Sequence, residues 1–397
     1  MKPTVILAAL VVLGGVAWTQ QRSPTEEVPK MVLDGTAADW LVDRFAGNST
    51  AGPEFFQGPA REVGGLGRCG ACPTPDGSVY IPYAGGIAEV GPDCLLRLLL
   101  TADDVLEGTT AQVCNGSGMA YNPKDKRLYL AGRNCLRRLV LVADGPARTE
   151  PVAGTPGKAG FDDGPAASAT FTRIDSIVIN SRGAIFLLDN NDRIRRLEGG
   201  TVTTLNRRVR SGKHVDGPLG EAAFSMIGLG GNLCGGEDDA TLYLSDHWNF
   251  CVRRIDLGTG TVSTVAGMPK PQNWRDGDPA AAQSRFNANC DGPATVWASF
   301  NSGCAYVCWD PVHRALWCGG PDENRFRWLK DGWLRTVIGA KPDRERWPRD
   351  ALNVPAEKVF CCWNAVVAVD GQGGVYLSCS GEPSGLWRAY NRKEVQR

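Results

Sequence analysis

The sequence predicts an all-β fold: a six-bladed β-propeller of four-stranded antiparallel blades, closed by an N-terminal strand that completes the last blade. Three observations predict it. One order of short apolar runs and turns recurs along the chain. The runs are separated by Gly, Asn, Asp and Ser, as in antiparallel meanders. Runs such as Ile185-Phe186-Leu187-Leu188 are apolar at consecutive positions, which suits strands covered on both faces. Sheets of that kind cannot hide their surfaces singly, and radial stacking gives each one two neighbours.

The elements follow in chain order. Lys2 precedes an apolar run over 5–18, short for a spanning helix and right for an export signal, so residues 1–19 read as a signal peptide, with an uncleaved N-terminal anchor as the alternative. Residues 20–38 read as a polar linker and 39–397 as the propeller. The segment Val42-Asp43-Arg44-Phe45-Ala46-Gly47 matches the fourth-strand run Thr264-Val265-Ala266-Gly267, and is expected to close the ring.

The first unit carries Val79-Tyr80-Ile81 and Leu95-Leu96-Arg97-Leu98, and the second Leu128-Tyr129-Leu130 and Leu136-Arg137-Arg138-Leu139. The third is the clearest. Asp163-Gly164, Ala169 and Phe171 lead into Ile177-Val178-Ile179, then Ile185–Leu188, Ile194-Arg195-Arg196-Leu197 and Thr201-Val202-Thr203-Thr204. The fourth repeats that order from Asp216-Gly217 and Phe224 to Ala266-Gly267, and the fifth from Asp276-Gly277 and Phe286 to Ile338-Gly339. The sixth holds Val375-Tyr376-Leu377 and Leu386-Trp387-Arg388, with too few residues after it for a fourth strand. Third-strand arginines recur at Arg97, Arg138, Arg196, Arg254, Arg327 and Arg388 and are expected to form inter-blade salt bridges to strand-end Asp. The phenylalanines are expected to be wedges between blades.

These residues resemble the NHL-repeat family of β-propellers. The carrying pattern is V-x-T-x-A-G, then D-G with a following A-x-F, then an apolar strand ending in Asp, then a strand with Arg; it is clearest across residues 151–267. The Pro-x-Gly that often opens the family's first strand is missing after Phe171 and Phe224. The resemblance implies a binding scaffold; a minority of related propellers are lyases or lactonases with an axial metal.

Composition narrows the function. Lys+Arg and Asp+Glu are both 43, so there is no excess of positive charge for nucleic acid or an anionic membrane. Only 3 of 397 residues are His, and they fall in separate loops, which disfavours a His-ligated metal. Walker, dinucleotide and G-x-S-x-G motifs are absent. No cofactor is expected; the option left open is calcium, held by oxygen ligands facing the channel from Asp175, Asn289, Asp291 and Asn364. Asp163, Asp216 and Asp276 are either turn-capping residues or a rim of carboxylates for a cation or basic partner.

The 14 Cys read as disulfides of a secreted, cysteine-rich chain. Cys114–Cys135 and Cys234–Cys251 are expected within blades. Cys94 belongs to a set of three in the first unit with Cys69 and Cys72, and Cys379 to a set of three in the sixth with Cys361 and Cys362. Each set leaves one spare, and a bridge between Cys69 or Cys72 and Cys361 or Cys362 would lock the closure. The expectation is an exported, monomeric, non-catalytic scaffold for an extracellular protein or small ligand, its site on the face of the long between-blade loops. The alternative is a hydrolase or lyase assisted by Ca or Zn in the axial channel.

Overall fold

The computed structural model describes residues 39–395 apart from 48–56, 65, 67–69, 84–85, 102–117, 143–146, 191, 207–213, 226–231, 268–290, 296–299, 301–303, 321–324, 340–353, 357–358, 360–363 and 380–384. Six antiparallel sheets form a ring, one blade to each repeat. The third blade runs outward from Ile174–Ile179 through Ile185–Asp189 and Arg193–Glu198 to Thr201–Thr204. The fourth runs from Leu233–Gly235 through Thr241–Asp246 and Cys251–Asp256 to Thr261–Gly267. Innermost strands of the other blades are Cys72–Pro73, Met119–Asn122, Tyr306–Asp310 and Asn364–Val369, and each of the six touches the next around a closed circle. Among the described residues no helix is long and apolar enough to cross a membrane.

The ring closes through the N-terminal segment, as its sequence suggests. Trp40–Ala46 is the fourth strand of the sixth blade and pairs antiparallel with Gly385–Asn391, with Trp40 opposite Asn391 and Asp43 opposite Arg388. Trp40 is fully buried and meets Trp317 and Trp328 of the fifth blade edge-on at 5.5 and 6.1 Å. The His313 ring lies 5.0 Å from Trp40, and its Nδ1 is 2.7 Å from the buried Asp310 carboxylate.

The apolar core is divided among the blade interfaces. One cluster joins Phe171, Ile185 and Leu187 of the third blade to Tyr129 and Leu136 of the second. Another joins Phe224 and Leu244 of the fourth blade to Phe186 and Leu188 of the third. The circuit is completed where Ala46, Tyr376 and Leu386 of the sixth blade meet Val79, Ile81 and Val90 of the first. No sheet keeps a core to itself, so stability rests on lateral contact.

Among the described residues, five of the six blades exceed the expected four strands. A two-residue strand, Gly58–Pro59, Gly164–Pro165, Gly217–Pro218, Gly292–Pro293 or Val354–Pro355, pairs with each outermost strand. Proline lacks an N–H and suits such an edge. These short strands also correct the fifth repeat. Its counterpart of Asp163-Gly164-Pro165 is Asp291-Gly292-Pro293, and its wedge phenylalanine is Phe300. Asp276 and Phe286 lie outside the described residues.

The recurring Ala-Gly that ends the outer strands has a steric cause. Gly154 and Gly267 have φ of +79° and +86°. A Cβ on Gly154 would lie 2.4 Å from the Asn134 carbonyl oxygen, and one on Gly267 would lie 2.2 Å from the Phe250 carbonyl oxygen. Only glycine lets the outer strand pass beside the start of the third strand, where Cys135 and Cys251 stand opposite these glycines.

Candidate functional site

The ring has two faces. One carries the between-blade connections and the second-to-third strand turns, and is called the connection face. The other carries the first-to-second strand hairpins, and is called the hairpin face.

The arginines and aspartates of the repeat serve the fold on the connection face. In the third blade the buried arginine is Arg195, one residue before the expected Arg196, which is exposed beside Glu198. Arg195 donates to Asp189 Oδ2 and Asp163 Oδ1, both at 2.9 Å, and to the carbonyls of Thr170 and Asp162. In the fourth blade Arg253 donates to Asp246 Oδ2 at 2.8 Å, Asp216 Oδ1 at 2.6 Å and the carbonyls of Ala223 and Val215. In the fifth, Arg327 lies 3.5 Å from Asp291. Each guanidinium sits over its wedge ring, 5.1 Å from Phe171, 5.2 Å from Phe224 and 4.7 Å from Phe300. The ion pairs run within a blade, not between blades as the sequence suggests, because the Asp-Gly-Pro segment folds back on its own outer strand.

The rim carboxylates are therefore engaged. Asp163 also accepts from the Thr204 N–H and hydroxyl, and Asp216 from those of Thr264. Asp291 does not begin an inner strand; it is fully buried and accepts from the Thr336 N–H and hydroxyl on the outer strand. Asp175 does lie on an innermost strand, 2.5 Å from the Arg173 guanidinium. Asn364 opens the innermost strand of the sixth blade, its backbone opposite Cys379, and Asn289 lies outside the described residues. No group of three or more His, Cys, Asp or Glu able to hold a metal occurs among the described residues.

Side chains stitch adjacent innermost strands. Ser176 Oγ donates to the Leu233 carbonyl and accepts from its N–H, both at 3.1 Å. Asn232 brackets Val307 in the same way, at 3.0 and 2.7 Å. The Cys72 thiol is hydrogen-bonded to the Tyr121 backbone of the next blade, and burial pushes it up to about 12. Such a thiol is the opposite of a reactive one.

The cysteines correct a second expectation. Cys234 stands opposite Tyr243 and Cys251 opposite Asp246, with the whole strand Thr241–Asp246 between them. Two strand spacings amount to about 10 Å, beyond disulfide reach. Cys135, Cys234 and Cys251 are free thiols, and Cys94 is free and exposed. Cys379 is buried at the end of Val375–Cys379, and Cys114 lies outside the described residues.

The hairpin face holds a recess of about 480 Å³ between the third and fourth blades. Val178, Ile179 and Leu242 give it apolar surface, while Asn180, Ser181, Thr241, Glu237, Asp238 and Asp239 supply polar groups. Its wall turns tightly at Gly236, where a Cβ would come within 2.9 Å of Thr241 Cβ. Asp239 locks the two hairpins together. Its carboxylate accepts from the Ser181 N–H at 2.8 Å and hydroxyl at 2.6 Å, with the Arg182 guanidinium 3.5 Å away. The Ser181 hydroxyl, then its N–H, holds the Asp239 carboxyl below the usual range, so it is ionised at neutral pH. Glu237 is shared between the Tyr243 hydroxyl and Arg254, and Asp238 accepts from the Ala240 N–H. The recess thus offers three carboxylates beside a polar and apolar lining. It was not foreseen, because it exists only where two hairpins meet.

No family model matches this chain, and no curated protein matches it. Solved structures do. A protein of unknown function from Bacteroides thetaiotaomicron is 14% identical with a TM-score of 0.56, over 88% of this chain and 75% of the other. An auxiliary nutrient binding protein from Bacteroides ovatus is 10% identical with a TM-score of 0.58, over 88% of this chain and 76% of the other. At these identities the likeness is one of fold, and the fold shared is the β-propeller.

Proposed function

We propose that this chain is an exported propeller that acts as a binding scaffold, and that the recess between its third and fourth blades takes a small ligand bearing a cationic group. The observation that supports this most is the run Glu237-Asp238-Asp239 on the wall of a ligand-sized cavity, with Asp239 held ionised. Asp239 and Glu237 are tied to Ser181 and to Tyr243 and Arg254, while Asp238 is exposed and bonded to the Ala240 N–H of its own turn, which makes it the carboxylate best placed to meet a ligand. The ligand-binding reading is in keeping with the name of the nutrient binding protein that shares the fold.

Spermidine, putrescine and calcium are suitable probes. Thermal melts of the wild type should rise by a few degrees with at least one polyamine, by mass action on the folded state. The variant Asp238→Asn should lose most of that shift while keeping the unliganded melting temperature, because the new amide oxygen can still accept from the Ala240 N–H. An equal shift in both proteins, or none in the wild type, would contradict the recess as the site. Calcium bound stoichiometrically, with a hydrolase activity lost on chelation, would select the axial-channel enzyme instead.

A further inference from the structure

The second blade departs from a charge pattern that its counterparts keep. In four blades a third-strand arginine stands opposite an aromatic residue of the second strand: Arg138 and Tyr129, Arg196 and Phe186, Arg254 and Tyr243, Arg388 and Tyr376. Three of these arginines are matched by acid. Arg196 pairs with Glu198, Arg388 with Asp370 at 2.8 Å, and Arg254 with both Glu237 and Asp256 at 3.2 Å. Around Arg138 the ratio is reversed. Its Nε and Nη2 donate to Glu150 Oε2 at 3.3 and 3.1 Å, and Arg148 Nη2 donates to Glu150 Oε1 at 3.3 Å. The hydrogen bond from Arg138 holds the Glu150 carboxyl below the usual range, and the charges of Arg148 and Arg127 add to the effect. One ionised carboxylate thus answers three guanidiniums.

Strand register puts the three on one face of the sheet. Arg138 stands opposite both Tyr129 and Glu150, and Val140 stands opposite Arg148. Arg127 precedes Tyr129 by two residues and shares its face. That face packs on the third blade through Tyr129 and Leu136. The three arginines come from three neighbouring strands, within two strand spacings or about 10 Å, and Val140 among them is only half-buried. The side chains of Arg138 and Arg148 are 36% and 67% exposed. Asp125 of the adjoining hairpin accepts from the Tyr129 hydroxyl at 2.7 Å and the Arg127 N–H at 3.2 Å, and lies between Lys124 and Lys126. Residues 118–150 carry seven Lys and Arg against three Asp and Glu, in a chain whose two totals are equal.

We propose that Arg127, Arg138 and Arg148 form a site for one tetrahedral oxyanion, the phosphate or sulfate group of a small molecule, on the second blade and separate from the acidic recess. Guanidiniums suit such a group. They present paired N–H donors, stay charged at every working pH and are weakly hydrated. Glu150 uses some of those donors and holds Arg138 and Arg148 side by side, but its single charge leaves the cluster positive. The cluster is the width of one oxyanion group, and too short for the succession of phosphate contacts by which a polyanion is held.

The test is calorimetric titration of the full chain with inorganic phosphate, sulfate and glucose 6-phosphate, at low ionic strength where surface charge is least screened. At least one should bind with one-to-one stoichiometry. A preference for the free ion or for the ester supports the site either way and names its source. Arg127→Gln/Arg148→Gln should weaken binding by about tenfold or more. Glu150→Gln, whose amide oxygen can still accept from Arg138, should tighten it by about threefold or more, a gain that misfolding does not produce. Asp238→Asn should leave it unchanged, which separates this site from the recess. No binding of any of the three probes, equal affinity in the double arginine variant, or no gain in Glu150→Gln would overturn the proposal. So would binding of heparin in place of the small anions, which would make the surface a track for a polyanion.

Discussion

Arg253 makes four hydrogen bonds with no part of its side chain left to solvent. A buried guanidinium is tolerable because Asp246 and Asp216 neutralise it and two carbonyls accept from it. Removing it strands Asp246, itself fully buried. Arg253→Met should therefore lower stability by about 3–5 kcal/mol, read from urea denaturation. The double variant with Asp246→Asn should be less damaged than the sum of the two singles. A loss below about 1 kcal/mol in the single variant would mean the pair contributes little.

Close by, His214 Nε2 lies 2.7 Å from Thr264 Oγ1. Burial, and then the Arg253 charge, lowers its pKa from 6.5 to about 4. An unfolded chain takes up this proton at higher pH than the folded one. The ring's contribution to stability is thus fully present above the unfolded value of about 6.5 and is lost as pH falls toward about 4. His214→Gln should flatten the fall in urea midpoint between about pH 7.5 and 5. An unchanged slope would show that other groups set it.

At the scale of strands and turns, Gly267 makes a sharp comparison with Gly260. Both have positive φ, at +86° and +65°, but a Cβ on Gly260 would meet nothing within 4 Å. Gly267→Ala should cost clearly more than Gly260→Ala, whose penalty is about 1 kcal/mol from the backbone alone. Equal melting temperatures would refute the close approach as the reason for the Ala-Gly motif. Elements were legible in the sequence wherever side-chain pattern governs them, as with Ile185–Asp189 or Cys251–Asp256. The closing strand was legible because Phe45-Ala46-Gly47 carries the same glycine, at φ +92°.

Register was harder to read. Arg195 and Arg196 differ only in which face they take, and the sequence does not say which faces inward. The proline of Asp291-Gly292-Pro293 marks the true fifth repeat, and Asp276-Gly277 lacks it. Cys234 and Cys251 are near in sequence yet lie on opposite sides of an intervening strand. The recess was illegible for a similar reason: Ser181 and Asp239 are 58 residues apart and meet only by packing.

At the scale of the whole molecule, every apolar core spans two blades, and the last two are sealed by a strand from the opposite end of the chain. Without Trp40–Ala46 the sixth blade would lose its outer strand and expose the edge of Gly385–Asn391. Trp40, packed on Trp317 and Trp328, would leave a large void in the contact with the fifth blade. The recess depends on blades held in fixed mutual positions, so binding there should decline along with closure. The most direct measurement is urea unfolding of a variant lacking residues 39–47, followed by fluorescence and circular dichroism together. The expected result is a lower midpoint with transitions that no longer coincide. A single transition at the wild-type midpoint would contradict a ring fastened by its two ends.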